Sequence, residues 1–208
     1  MTHRISDILL ATSNPHKLEE VSAMFQGVGI TVLGLDSLSE IPTEPVEDAD
    51  TFEGNARLKA IGYAVATGRV CLADDSGLEV DALRGAPGVH SARYAGTGDS
   101  RVQRDAANNA KLLNSLEGVP DDQRSARFVC CLCMAQPDGT IALESRGTFD
   151  GRIGHGLVGD NGFGYDPLLI LPEGLTSAEL SPEQKNKRSH RGVAIAALIE
   201  QLRACCES

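Results

Sequence analysis

The 208-residue sequence predicts an α/β fold with helices flanking a mixed β-sheet. Two patterns carry that prediction. Short apolar runs alternate with segments whose apolar residues recur at helical spacing, and one tight hairpin interrupts the alternation. Alternating units favour parallel strands and the hairpin adds an antiparallel pair, so the sheet is mixed. Residues 8–11 (Ile-Leu-Leu-Ala) form the first strand. The turn and cap formers Thr12, Ser13, Asn14 and Pro15 follow, then His16 and Lys17, and then Leu18, Val21 and Phe25 on one helical face. Residues 31–35 give a second strand, followed by a loop holding Pro42 and Pro45. Thr51 caps a helix carrying Ala56, Ala60, Tyr63 and Ala64, and Gly68 closes it. Residues 70–73 read as a buried strand that ends in a loop of Asp74, Asp75, Ser76 and Gly77. Residues 84–100 hold five Gly or Pro and read as loop, after which Val102, Ala106, Ala110 and Leu113 mark a helix face. Residues 127–136 form a long strand, which Pro137-Asp138-Gly139 turns into a partner over 140–149. Residues 151–167 are rich in glycine, and Ile195, Leu198, Ile199 and Leu202 set a closing helix against the core.

Length and composition narrow the function. A chain of this size buries enough surface to form one domain, residues 1–208, without a disulfide or metal staple. Nineteen Lys and Arg against 29 Asp and Glu give a net charge of −10, which argues against coating nucleic acid. No apolar run approaches the ~20 residues of a membrane span, and Met1 to Asp7 lack a signal-peptide core. The six cysteines match neither a disulfide framework nor paired zinc knuckles. Three of them crowd into one strand, where they read as small core fillers, and the set points to the cytosol.

Four stretches carry chemical potential. Thr12 to Lys17 offers hydroxyl, amide and backbone donors at a helix start, with Lys17 adding charge, as phosphate binding requires; a plain capped helix start is the alternative. Asp74-Asp75 supplies hard oxygen ligands suited to Mg²⁺, which takes one or two carboxylates and completes its shell with water and phosphate. Glu47 and Glu53 are candidates to converge on the same ion, or they are surface charges. Residues 185–191 pool four fixed positive charges in an acidic chain, either for a polyphosphate or as a solvated turn. Residues 159–167 combine glycines, which let backbone approach a ligand, with Phe163, a ring for a flat base. Two motifs fail on context: G-x-G-x-x-G at 154–159 has no helix pattern after it, and Ser76 has no G-x-S-x-G elbow. No Walker loop occurs.

In order along the chain stand Ala11-Thr12-Ser13-Asn14 through Lys17, then Thr51-Phe52 with Asn55-Ala56 and Lys59-Ala60, then Ala73-Asp74-Asp75-Ser76-Gly77-Leu78. Gly85-Ala86-Pro87-Gly88 through Ser91-Ala92-Arg93-Tyr94 and Gly162-Phe163-Gly164-Tyr165-Asp166-Pro167 follow. Ala178-Glu179-Leu180, Lys185 and Ser189-His190-Arg191-Gly192 complete the set. Over nearly its whole length the chain resembles the inosine triphosphate pyrophosphatases, which hydrolyse non-standard purine nucleoside triphosphates. The resemblance implies an elongated mixed α/β fold with two lobes around a central cleft, Mg²⁺ dependence, and a cytoplasmic homodimer. It implies phosphate binding by Thr12, Ser13, Asn14, Pro15, His16 and Lys17, with Asp75 as the catalytic, metal-binding carboxylate and Glu47 as a second ligand. Substrate contacts fall on Ser76, Phe163, Gly164, Tyr165, Asp166, Lys185, His190 and Arg191. Gly54 stands where the family often has Glu, with Glu53 one position earlier, and Val46 precedes Glu47 where consecutive acids are common. The implied reaction is attack of water on the α-phosphorus of ITP, dITP or XTP, releasing pyrophosphate. A donor near His190 or Arg191 would donate to the 6-keto oxygen and leave adenine's amino group mismatched. A pyrophosphatase for other altered nucleotides, or a silent nucleotide sensor on the same fold, are the alternatives.

Overall fold

The computed structural model describes residues 6–96, 98 and 100–206. Residues 1–5 of the N-terminal stretch read above, and Thr97 and Asp99 of the 84–100 loop, lie outside them. The elements in order are β1 (Asp7–Leu10), α1 (Pro15–Phe25), β2 (Thr31–Leu33), α2 (Phe52–Thr67), β3 (Cys71–Val80), α3 (Arg101–Ser115), β4 (Ser125–Ala135), β5 (Ile141–Ile153), β6 (Leu169–Ile170), α4 (Pro182–Arg188) and α5 (His190–Cys206). The six strands form one sheet in the order β2-β1-β3-β4-β5-β6. β1 runs parallel to β2 and to β3, whereas β5 and β6 are antiparallel, so the sheet is mixed as expected. The residues at 137–139 make the tight β4–β5 turn, with the Gly139 N–H donating to the Gln136 carbonyl. No helix among the described residues is long and apolar enough to cross a membrane.

Local chemistry explains the helix starts. The Asn14 side chain accepts the His16 N–H and Pro15 occupies the first turn of α1, where its missing donor costs nothing. Thr51 Oγ1 accepts the Gly54 N–H at the start of α2, and Gly68 ends that helix in the left-handed region at φ 66°.

The chain divides into two compact units: Met1–Asp75 with Cys130–Gly147 and Arg191–Ser208, and Ser76–Val129 with Thr148–His190. In the first unit, strand alternation sorts the core. Ile8, Leu10, Leu72, Cys130, Leu132 and Met134 pack with Val21 and Phe25 of α1 and with Ala194, Ile195 and Leu198 of α5. The alternate positions meet α2 instead: Cys71 Sγ lies 3.7 Å from Thr67 Oγ1, and the Cys131 thiol bonds Glu53. The second unit is built on Leu78, Val80, Leu112, Leu116, Phe149 and Tyr165 among others. Arg124 is buried there, donating to the carbonyls of Ile153, Leu116 and Gly154 at 2.8, 2.9 and 2.8 Å.

Three expectations are corrected. Asp74 to Gly77 do not form a loop at a strand end: β3 continues through them to Val80, because Leu78 and Val80 resume the buried alternation. The buried face of α3 is Asn108, Asn109 and Leu112, while Val102 is 79% exposed. Asn108 earns its burial through its amide, which serves the Ala95 N–H and the Ser91 and Ala92 carbonyls. Residues 185–191 are no solvated turn either; they are the end of α4 and the start of α5.

Candidate active site

Because β3 runs through Asp74 and Asp75, their side chains face opposite sides of the sheet. Asp74, completely buried, faces α1 and α5. Lys17 Nζ donates to its Oδ1 at 2.6 Å and to its carbonyl at 3.2 Å, and Arg191 Nε donates to Oδ2 at 2.7 Å. The Cys130 thiol adds a bond to Oδ2 at 3.3 Å, and Glu20 holds the far side of the Arg191 guanidinium. Burial alone would raise the Asp74 pKa, but the Arg191 and Lys17 charges outweigh it and hold the carboxyl well below the usual range. Asp74 is therefore a permanently ionised anchor for two cations.

Asp75 has the opposite environment. It faces α2, where the Asn55 amide bonds it and Lys17 and Lys59 supply positive charge. Burial dominates, pushing its carboxyl above the ordinary range. Its Oδ2 is buried without a hydrogen-bond partner among the described residues, although an ionised carboxylate oxygen is expensive to leave unpaired. Asn55 is locked for this task, its Oδ1 accepting the Ala49 N–H at 3.0 Å. Glu47 pairs with Lys59 at 2.8 Å and is close enough to push the Asp75 pKa up, while Glu53 is held by Arg146. No three His, Cys, Asp or Glu side chains form a ready metal cage among the described residues. Mg²⁺ does not need one, and an orphaned buried carboxylate oxygen with a second carboxylate nearby fits its usual donor set.

The second unit holds its own polar group. Asp166, also buried, accepts the Phe163 N–H at 2.8 Å, Lys185 Nζ at 2.6 Å and Ser177 Oγ at 2.8 Å. Gly162 permits this: it sits at φ 77°, and a Cβ there would lie 2.1 Å from Asp166 Oδ2. Asp105 takes the Gly164 N–H at 3.1 Å, and Asn109 donates to the Gly164 carbonyl at 2.9 Å. Asn109 Oδ1 is left buried without a partner among the described residues. Two cations flank the Phe163 ring, Arg101 at 4.5 Å and Lys185 at 5.0 Å from its centroid.

The structure thus brings Lys17 next to the Asp74-Asp75 pair and assembles Phe163, Gly164, Asp166 and Lys185 around one loop. Thr12, Ser13, Asn14, Pro15 and His16 lie at the start of α1, where Thr12 Oγ1 accepts the Asn14 N–H at 3.2 Å. Ser76 is half-buried on β3 beside Asp75. Tyr165 is buried, its hydroxyl donating to the Ser91 carbonyl at 2.8 Å. His190 is buried and stacks on Phe128, ring centroids 5.0 Å apart. The sequence offered His190 or Arg191 for the 6-keto contact; the Arg191 guanidinium meets Asp74 and Glu20. Nor do the cations at 185–191 pool their charge: Lys185 pairs with Asp166, Lys187 with Glu183, Arg188 with Glu173 and Arg191 with Asp74. Sequence reasoning missed Asn55, Asp105, Asn109 and Arg101. For α3, the polar residues themselves were the signal, since its inward positions carry the amides.

The Ham1 family model matches residues 8–201. The chain is 50% identical over 199 residues to the dITP/XTP pyrophosphatase of Nitratidesulfovibrio vulgaris, covering 93% of this chain and 94% of that protein. It is 49% identical over 198 residues to the dITP/XTP pyrophosphatase of Desulforamulus reducens, covering 94% of each. Among solved structures, it is similar to the Staphylococcus aureus Ham1 protein with a TM-score of 0.82 and 42% identity over 95% of this chain and 98% of that one. A HAM1 protein from Coxiella burnetii matches with a TM-score of 0.83 and 37% identity over 98% of this chain and 100% of that one. With the family pattern covering most of the sequence and relatives at half identity over nearly the full length, the chain belongs to the Ham1 family.

Proposed function

We propose that this chain is a nucleoside triphosphate pyrophosphatase that hydrolyses the non-standard purine nucleotides ITP, dITP and XTP to the monophosphate and pyrophosphate. The observation that carries the reading is Asp75: a half-buried carboxylate whose buried Oδ2 has no hydrogen-bond partner among the described residues, beside Lys17 and Lys59, in a chain whose relatives at half identity are named dITP/XTP pyrophosphatases. Asp75 holds the attacking water and takes its proton. Lys17 and Lys59 neutralise phosphate charge, and the start of α1, from Thr12 to His16, supplies the remaining phosphate contacts. Asp75 and Glu47 are the residues that would hold Mg²⁺, which when bound supplies further neutralisation of the triphosphate. Phe163 receives the purine ring, and Lys185, Asp166 and Gly162 fix that loop. His190, buried and stacked on Phe128, is the donor we assign to the 6-keto oxygen. The enzyme acts in the cytoplasm as a homodimer; the free buried thiols Cys71, Cys130, Cys131 and Cys133 support a reducing compartment.

The test is pyrophosphate release with Mg²⁺ from ITP, dITP and XTP beside ATP and GTP. Rapid release from the first three and little from the last two is the expected result; equal turnover of all five contradicts the reading. Lys17→Ala separates phosphate binding from base binding. It is expected to weaken ITP by about 1.5–3 kcal/mol, the usual worth of a hydrogen bond to a charged group, and inosine far less. Equal losses for both ligands, measured by calorimetry, contradict a phosphate role for Lys17.

A further inference from the structure

We propose that Asn55 is a positioning residue: its one side-chain amide ties the segment carrying Glu47 to Asp75 and so sets the spacing of the two carboxylates. The inference rests on the reading that Asp75 and Glu47 hold Mg²⁺. All the residues concerned belong to the first compact unit. Residues 45–49 are pinned along α2 at every second position. Pro45, Glu47 and Ala49 are half-buried, whereas Val46, Asp48 and Asp50 are exposed, the alternation of an extended chain lying on a surface. Their partners on α2 are Gly62, Lys59 and the neighbours Gly54 and Asn55. Asn55, Lys59 and Gly62 follow one another at four and three residues, which puts them on one helix face.

Close approach is built into that face. A Cβ at Gly62 would lie 2.4 Å from Pro45 Cγ, and one at Gly54 would lie 2.5 Å from the Ala49 Cβ. Between these two contacts Lys59 Nζ pairs with Glu47 at 2.8 Å. The buried Asn55 side chain closes the row. Its Oδ1 accepts the Ala49 N–H at 3.0 Å, which leaves the Nδ2 protons for the Asp75 carboxylate that it bonds. One planar amide thus reaches from the backbone two residues past Glu47 to the carboxylate whose Oδ2 has no partner among the described residues. Groups that orient metal ligands in this way carry about 10–100-fold of metal affinity.

The experiment titrates Mn²⁺, which shares the oxygen ligands of Mg²⁺, into the nucleotide-free chain and follows the free ion by electron paramagnetic resonance. Hydrogen exchange at the Ala49 amide is measured alongside. The variants are Asn55→Ala, Gly54→Ala, Glu47→Gln, Asp75→Asn and Gly54→Ala combined with Glu47→Gln. Asn55→Ala and Gly54→Ala are each expected to weaken Mn²⁺ about ten-fold and to speed exchange at Ala49. Gly54→Ala does so although alanine is the better helix former, and it keeps the test in force if Asn55→Ala does not fold. Gly54 reaches the metal only through the position of Glu47, so in the Glu47→Gln background its substitution is expected to cost less than about two-fold. Wild-type Mn²⁺ affinity in Gly54→Ala, or losses that multiply in the double variant, overturn the inference: the segment would then only pack on α2. Glu47→Gln and Asp75→Asn keep the two readings apart. Affinity lost in both of these but kept in Gly54→Ala overturns the inference alone. Affinity unchanged in both overturns the metal assignment and the inference with it.

Discussion

Asp75→Asn is expected to lower pyrophosphate release from XTP by at least about 100-fold, the range removed with a general base, while leaving the fold as stable as before or more so. Both halves follow from one feature. Asp75 is half-buried with an orphaned Oδ2, and its burial outweighs what Asn55, Lys17 and Lys59 return, so its charge costs the folded chain stability. The pH dependence gives an independent check on the metal-free protein. Because the folded-state pKa of Asp75 is raised above its ordinary 3.8, the folded chain holds that proton more tightly than the unfolded one. Its contribution therefore erodes stability as pH rises from 3.8 through the raised value, and Asp75→Asn removes that part of the slope. Near-normal turnover of the variant contradicts the assignment, and so does a large fall in melting temperature.

Arg191→Ala should do the reverse, acting first on stability. It leaves Asp74 completely buried with Lys17 as its remaining cation and removes a partner of Glu20. Breaking a buried pair from one side costs about 3–5 kcal/mol, which for a chain of this size is a fall in melting temperature on the order of 10 °C. Asp74 has a depressed folded-state pKa, so its ion pairs contribute stability above the ordinary 3.8 and lose it as pH falls through the folded value. The gap in melting temperature between wild type and Arg191→Ala is thus expected to be widest near neutral pH and to narrow in acid. A gap unchanged between pH 7 and pH 3, followed by scanning calorimetry, contradicts an ion-pair origin.

Much of this architecture was legible because apolar spacing and turn chemistry agree along the chain. Asn14 and Pro15 start α1, Thr51 and Gly68 bound α2, and Pro137-Asp138-Gly139 turn the hairpin where the sequence says they should. The failures share one physical cause, buried polar groups satisfied over long sequence separations. Asp74 reads as a turn residue until Lys17, 57 positions away, and Arg191, 117 positions away, are seen to neutralise it. The inward face of α3 was misplaced because Asn108 and Asn109 read as solvent-facing, although their amides bond carbonyls of distant loops. Arg124 gave no local sign that its guanidinium would serve carbonyls on either side of it. In the site, residue identity pointed to the Asp74-Asp75 pair, Lys17 and Phe163. Only the family resemblance singled out Asp75, because the distinction lies in which face of β3 each side chain takes.

In the proposed reaction water attacks the α-phosphorus, and isotope tracing locates that attack. XTP is turned over by the purified chain with Mg²⁺ in ¹⁸O-labelled water, and the products are weighed by mass spectrometry. Attack at the α-phosphorus yields one pyrophosphate per XMP, with the label on the XMP phosphate and none in the pyrophosphate. Label in pyrophosphate, or orthophosphate released with XDP, would contradict it.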